Sequence, residues 1–322
     1  MANRIDFTNC KRIIGRAYNG ANGKKIAVEY EGERYMLKFP PSGNKKPTEL
    51  SYTNSSISEH IASSIFNMIG IKAQKTKLGT FTVNGKVKIV CACKDFTDKN
   101  KNLYDFCSIK NTVIDSEHNG TGTELSDVLE TIEKQQFVSP EELLKHFWNV
   151  FVVDALLGNF DRHNGNWGFL FDDETQTSEI APVFDCGSCL LPQADEKIMR
   201  TILENEDELN ARIFQFPTSA IKLNDKKINY YDFISSMGNE DCNKAILRIV
   251  PNIDIDLINA FIDNIIYISD LQKEFYNTYI TARYEKALLP TYKSLSKWGM
   301  VYDFLCNKLN KTISCTIYCN LL

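Results

Sequence analysis

In the first hundred residues of this 322-residue chain, apolar and polar positions alternate in short runs broken by glycine. That two-residue period belongs to half-buried strands. Lys11–Arg16 reads as a strand entering a turn punctuated by Gly15, Gly20 and Gly23. Lys25–Tyr30 and Arg34–Phe39 read as two more, joined through Glu31-Gly32-Glu33. Thr76–Thr82 and Val87–Cys93 flank Asn84-Gly85, a strong hairpin signal. The period changes between these pairs: Ile57, Ile61, Ile65 and Met68 fall on one helical face, with Gly70 where a helix C-cap belongs. The N-terminal part is therefore expected to be a small antiparallel sheet carrying one helix.

Beyond Phe96 the pattern turns helical, after a polar crossover at Thr97–Asn102. Ser139-Pro140-Glu141-Glu142 has the form of a capping box with proline at the first helical position, and Leu143, Phe147, Val150 and Phe151 continue an apolar stripe to Leu157. Asn229–Trp298 is mostly amphipathic helix, and nothing is assigned beyond Lys311. Two parts follow, residues 1–96 and 97–322. The composition, 43% hydrophobic and 24% charged, is that of an ordinary globular protein. A net charge of −4 provides no whole-molecule basic field for nucleic acid or an anionic membrane, so neither partner is expected. The first twenty residues lack the apolar core of a secretory signal, and no apolar run approaches the roughly 20 residues of a membrane span. Ten cysteines with a single C-x-x-C pair, Cys186 and Cys189, fit reduced thiols in a cytoplasm.

The chemistry concentrates in LLGNFDRHNGNWGFLFDDETQTSEIAPVFDCGSC, Leu156–Cys189. A helix ends at Gly158, Asp161 follows, and Asn166 comes five residues later. Trp167–Phe171 and Ser178–Phe184 read as a strand pair around Asp172-Asp173-Glu174-Thr175, with Asp185-Cys186-Gly187 closing the unit. Because a hairpin brings its open ends together, Asn166 and Asp185 are expected side by side, with Asp161 on the loop above. Two hard oxygen ligands suit a magnesium ion that keeps waters and binds phosphates, and a third carboxylate can orient a hydroxyl nucleophile. That is what phosphoryl transfer requires, since positioning and charge neutralisation supply nearly all of its catalysis.

D-x-x-x-x-N, a strand pair and D-x-G together resemble the catalytic loop and metal-binding motif of protein-kinase-like folds. The longer G-N-F-D-R-H-N-G-N resembles the HipA-like bacterial serine/threonine kinases. Among them it is most like the compact CtkA-type kinases, with N-F-D-R-H-N-G-N-W-G-F, A-P-x-F-D-C-G-S-C-L and Y-M-x-K-F-P-P as near-verbatim counterparts. Phosphoinositide kinases share D-R-H-x-x-N. The resemblance implies an α+β, bilobed protein-kinase-like fold, with an antiparallel sheet and one main helix in the N-lobe and a mainly α-helical C-lobe. It implies ATP and Mg2+ as cofactors and a protein substrate, including the chain itself. Asp161 is implied as the base, Asn166 and Asp185 as metal ligands, and Lys38 as the lysine on the α- and β-phosphates. Gly23, fifteen residues before Lys38 with one hairpin between, can face the same phosphates, as can Gly20. Lys24 or Lys25 can add charge there.

Glu59 has two readings, ion-pair partner of Lys38 or capping-box residue in Ser56-x-x-Glu59. Val90–Phe96 is the expected hinge for adenine, with Lys94 and Phe96 as cofactor-binding candidates. His163 is a candidate for shaping the loop or touching phosphate, whereas His60, His118 and His146 read as structural. Arg162 either neutralises a phosphate or anchors the loop through a salt bridge. Ser51, Thr53, Ser55, Ser56 and Ser58 are the first candidates for autophosphorylation.

Larger HipA-like toxins carry a further N-terminal subdomain, and here the first sheet strand comes almost at once. Antitoxin docking, DNA association and a toxin role are therefore not inherited with the resemblance. Cytoplasmic residence is expected, and the resemblance admits export to a host cell. The alternatives are a phosphoinositide-type lipid kinase, against which stands the lack of a basic amphipathic helix, and an ATP-binding module without catalysis.

Overall fold

The computed structural model describes residues 4–15, 24–40, 53–114 and 119–297. The first sheet is antiparallel, in the order β1-β2-β3-β5-β4. Its strands are β1 (Lys11–Arg12), β2 (Lys25–Tyr30), β3 (Glu33–Lys38), β4 (Thr76–Val83) and β5 (Lys86–Lys94). The hairpins stand where glycine turns announce them. β1 is shorter than its sequence suggests, because Gly15 turns the chain away at φ +84°.

Alternation along the strands gives the sheet two apolar faces. Val28, Tyr35, Leu37, Val90 and Ala92 pack with Phe7 and Phe39 on the outer side. Leu78, Cys91 and Cys93 on the inner side join Ile57, Ile61 and Ile65 of α1 (Ser55–Met68) in the main core. Burying one leucine-sized side chain contributes about 1.5–3 kcal/mol, so the isoleucine stripe explains why α1 lies on the sheet. The same core runs on without a break into the helical lobe.

The polar crossover is shorter than expected. Lys101 already opens β6 (Lys101–Asp105), which pairs with β7 (Gly168–Asp172), and β7 pairs with β8 (Thr177–Ile180). The expected two-stranded ribbon is thus the far part of a three-stranded sheet. Its second strand ends before Val183, which bridges instead to Ala73 in the linker between α1 and β4. The helices are α2 (Phe106–Val113), α3 (Leu125–Lys134), α4 (Pro140–Leu157), α5 (Glu196–Glu204) and α6 (Glu206–Phe214), then α7 (Tyr230–Ser235), α8 (Glu240–Ile249), α9 (Ile255–Asp263) and α10 (Asp270–Arg283). A small hairpin of β9 (Thr218–Leu223) and β10 (Lys226–Asn229) interrupts them, which the sequence reading did not anticipate. Among the described residues no helix is long and apolar enough to cross a membrane.

α4 carries the catalytic loop. Ser139 Oγ accepts from the Glu142 N–H at its start, and Gly158 ends it in the left-handed region at φ +64°. A Cβ at Gly158 would lie 2.1 Å from the Tyr279 hydroxyl, so both backbone angle and space demand glycine there. The chain then leaves the helix abruptly, and Asn159–Asn166 forms the loop.

Candidate active site

β3 and α1 supply one half of the site. Lys38 at the end of β3 sends its ammonium to Glu59 Oε2 and to Asp185 Oδ1, each at 2.7 Å. α1 is preceded by Asn54, whose side chain makes no cap, and Glu59 lies inside the helix with its side chain fully buried. The ion-pair reading of Glu59 therefore holds and the capping-box reading does not. Glu59 Oε1 has no hydrogen-bond partner among the described residues. Burial alone would lower the Lys38 pKa, but the carboxylates of Asp185 and Glu59 outweigh it and hold the lysine well above its ordinary value. In return the Lys38 ammonium, acting against the burial of Asp185, holds that carboxyl down at about 2. Gly187 gives Glu59 room, since a Cβ there would come within 3.2 Å of Oε2.

The other half hangs on a residue that the sequence placed below the first rank. Arg162 is buried and grips Asp154 of α4 with two nitrogens, Nε to Oδ2 at 3.0 Å and Nη2 to Oδ1 at 3.2 Å. Its Nη1 donates to the carbonyls of Asn166, at 3.0 Å, and of Phe184. Arg162 thus anchors the loop, with its N–H groups directed at Asp154, Asn166, Phe184 and Cys186. Since β8 has already ended, this clamp, rather than the hairpin alone, joins the segments carrying Asn166 and Asp185. Cys186 accepts from Arg162 Nη2 at 3.4 Å, and Cys186 and Cys189 are fully buried free thiols.

Asp161 is half-buried. Burial raises its carboxyl pKa, and the neighbouring Asp185 charge raises it further, which makes it a better proton acceptor. Ser188, absent from the sequence candidates, donates to Asp161 Oδ2 at 3.5 Å. Asn166 Nδ2 donates to the Asp161 carbonyl at 2.7 Å, which leaves Oδ1 as its group for a cation. His163 is exposed, and its Nδ1 accepts from the Gly165 N–H at 3.0 Å. It shapes the turn between Asp161 and Asn166, with no side-chain contact to either among the described residues.

The donor set fits a hard divalent cation: Asn166 Oδ1, the Asp185 carboxylate, and phosphate and water oxygens to complete it. No group of three or more His, Cys, Asp or Glu converges among the described residues, so a metal there relies on its substrate for further ligands.

Residues 17–250 match the family model described as the HipA-like C-terminal domain. The chain belongs to this family. It is 50% identical over 285 residues to the serine/threonine-protein kinase CtkA of Helicobacter pylori, covering 88% of this chain and 86% of that one. The crystal structure of the H. pylori proinflammatory kinase CtkA superposes with a TM-score of 0.86 at 48% identity, covering 92% of this chain and 99% of that one. A Shewanella oneidensis HipA, solved with HipB and operator DNA, shares the fold at a TM-score of 0.51 and 15% identity, over 86% of this chain and 68% of that one.

The remaining candidates are distributed unevenly around this HipA-like site. Lys94 turns to Glu33 at 2.9 Å, its N–H donates to Lys75, and its carbonyl accepts from Gln74 Nε2. It offers a nucleotide no free group, because β5 runs to the end of its ladder there. Phe96, two residues on, makes no backbone hydrogen bond among the described residues, and its ring lies 5.9 Å from that of Phe184, beside Asp185. Lys25 is directly opposite Lys38 in the β2–β3 register. Gly20, Gly23, Ser51 and His118 lie outside the described residues. Ser56 and Ser58 are buried within α1, so neither hydroxyl is open to phosphorylation in this fold, whereas Thr53 is exposed and Ser55 half-buried. His60 and His146 are both pushed down to about 4, chiefly by burial, as suits structural histidines.

Proposed function

We infer that this chain is a serine/threonine protein kinase of HipA-like type, transferring the γ-phosphoryl group of ATP to a protein hydroxyl. The observation that carries the mechanism is the convergence of Lys38, Glu59 and Asp185 within hydrogen-bond distance, beside a base whose carboxyl is raised by burial. Residues 1–96 and 97–322 are its two lobes, with the cleft between.

Lys38 grips the α- and β-phosphates, and Glu59 holds its ammonium in place and charged. Asn166 Oδ1 and Asp185 would hold Mg2+, which neutralises charge on the transferring phosphoryl oxygens when bound. Asp161 accepts the proton of the serine or threonine hydroxyl as its oxygen attacks. Ser188 and the turn shaped by His163 keep that carboxylate aimed. The Phe96 backbone offers adenine one donor and one acceptor. Thr53 and Ser55 are the autophosphorylation candidates that the fold leaves accessible.

Incubation with MgATP should add the mass of one phosphate to the chain or to a protein substrate. Asp161→Asn should bind ATP as the wild type does yet lose about 10²–10⁴-fold in transfer. Labelling of phosphoinositide alone, or ATP binding without turnover in the wild type, would overturn the reading.

A further inference from the structure

The β9–β10 hairpin is fastened along the catalytic loop. Tyr230, which follows β10, donates its hydroxyl to the Asn159 carbonyl at 2.6 Å. Pro217, just before β9, lies 3.0 Å from where a Cβ of Gly158 would be. Asn164 Nδ2 donates to the Gly120 and Gly122 carbonyls at 2.7 and 2.8 Å, and the Lys222 N–H donates to the Thr123 carbonyl at 2.9 Å. Loop, connecting segment and hairpin therefore form one rigid wall, held by contacts that no substrate has to organise.

Lys222 and Lys227 are directly opposite in the hairpin register, so their side chains share a face. Ile221 and Ile228, on the other face, are buried in the main core. Lys227 and the neighbouring Lys226 are exposed, Lys222 is half-buried, and none of the three forms an ion pair with a described residue. Like charges directly opposite on a ladder repel and weaken it. Glu124, whose backbone bridges to Lys222, directs its carboxylate oxygens to the turn N–H groups of Asn224 and Asp225 at 2.7 and 3.1 Å and not to an ammonium. Among the described residues, then, neither Lys222 nor Lys227 is committed to an ion pair. The pair belongs to the wall of the catalytic loop, because Lys222 bonds through its N–H to Thr123, next to the Gly122 carbonyl that holds Asn164, and Tyr230, three residues after Lys227, holds Asn159.

We propose that Lys222 and Lys227 receive a carboxylate of the protein substrate close to the serine or threonine being phosphorylated, making acidic flanking sequence a specificity determinant. The proposal rests on the protein-kinase reading above. Opposite Cβ atoms on a ladder are about 4.5–5.5 Å apart, so one carboxylate can meet both ammonium groups. Because the hairpin is fastened along the catalytic loop, the acidic residue belongs to the sequence flanking the acceptor.

The test compares peptides whose acceptor hydroxyl is flanked by Asp or Glu, by neutral residues, or by Lys. The enzymes are the wild type, Lys222→Glu/Lys227→Glu, Lys222→Gln/Lys227→Gln and Lys227→Arg. Wild-type kcat/KM should favour acidic over neutral peptides roughly three- to tenfold, through peptide KM. The glutamate pair should invert the preference towards Lys-flanked peptides, the glutamine pair should abolish it, and Lys227→Arg should keep it. The glutamine pair decides the matter alone if the glutamate pair fails to fold. The proposal fails if the wild type phosphorylates all peptides equally, if the preference survives in both double variants, or if the KM for ATP rises in place of the peptide KM. Should the wild type label no serine or threonine at all, its own included, the protein-kinase reading itself falls and the proposal with it.

Discussion

Two buried cations organise this molecule, and they are built differently. Arg162 directs its fork at the Asp154 carboxylate, at the Asn166 and Phe184 carbonyls and at the Cys186 sulfur, and Asp154 also accepts from Asn159 Nδ2 at 2.8 Å. Lys38 sits between two carboxylates of unequal character. One, on Glu59, keeps an oxygen without a partner among the described residues, and the other, on Asp185, has 40% of its side chain exposed. A guanidinium in a saturated planar fork fixes geometry, whereas an ammonium is a point charge that can exchange partners. The comparison separates a charge that holds shape from one kept available to a ligand, though both are buried and both are paired.

The largest effect is expected of Arg162→Leu. It leaves Asp154, 1% exposed, with an uncompensated charge and should cost about 3–5 kcal/mol in denaturant unfolding. A loss under about 1 kcal/mol would mean that Arg162 is no clamp. Lys38→Met should act on the chemistry as well, lowering phosphoryl transfer about 10²–10³-fold in steady-state kinetics, and it should also lower the unfolding midpoint by stranding the fully buried Glu59 carboxylate. Adding Glu59→Leu to it should recover stability without activity, because the orphaned carboxylate goes with it.

A smaller effect appears in acid. The Asp185 carboxyl is held at about 2 against an ordinary 3.8, so its contribution to stability is present above about pH 4 and disappears as pH falls towards 2. Water screens the half-open pair and limits that contribution to about 1 kcal/mol. Acid-unfolding curves of the wild type and Asp185→Asn should therefore converge towards pH 2, and curves that stay parallel would remove the pair from the stability of the fold. The smallest expected change is that of Ser188→Ala. Losing a donor to Asp161 Oδ2 raises the base further, so the acid limb of the pH–rate profile should move to higher pH, with less than a tenfold loss in rate at neutral pH.

Much of this site is local enough to read along the chain. Asp161, Asn166 and Asp185 stand around a strand pair whose turn is visible in the residues, and α4 ends where Gly158 says it must. Lys38 and Glu59 are harder, because the serine and glutamate that suggest a cap also fit an ion pair, and only the position of Asn54 ahead of the helix separates the two. Arg162 was legible as a charge but not as a clamp, since its partners come from two distant stretches, Asp154 on α4 and Phe184 and Cys186 beyond β8. Lys94 misled because a strand ending looks the same whether its backbone groups face a neighbouring strand or open space. Nothing in Thr218–Asn229 announced a hairpin, since its register is irregular and its anchors, Asn159 and Thr123, are distant in the chain.

Periodicity and turn chemistry depend on near neighbours, so the sequence alone determined the N-terminal hairpins, the isoleucine stripe of α1, the catalytic string and the family to which it belongs. Charge partners are chosen by folding. That Lys38 meets Asp185, 147 positions away, and that an arginine closes the gap beyond β8 were decided only when the lobes packed. The physical reason is that burial, which gives each of these charges its value, belongs to the assembled core and to no single stretch of chain.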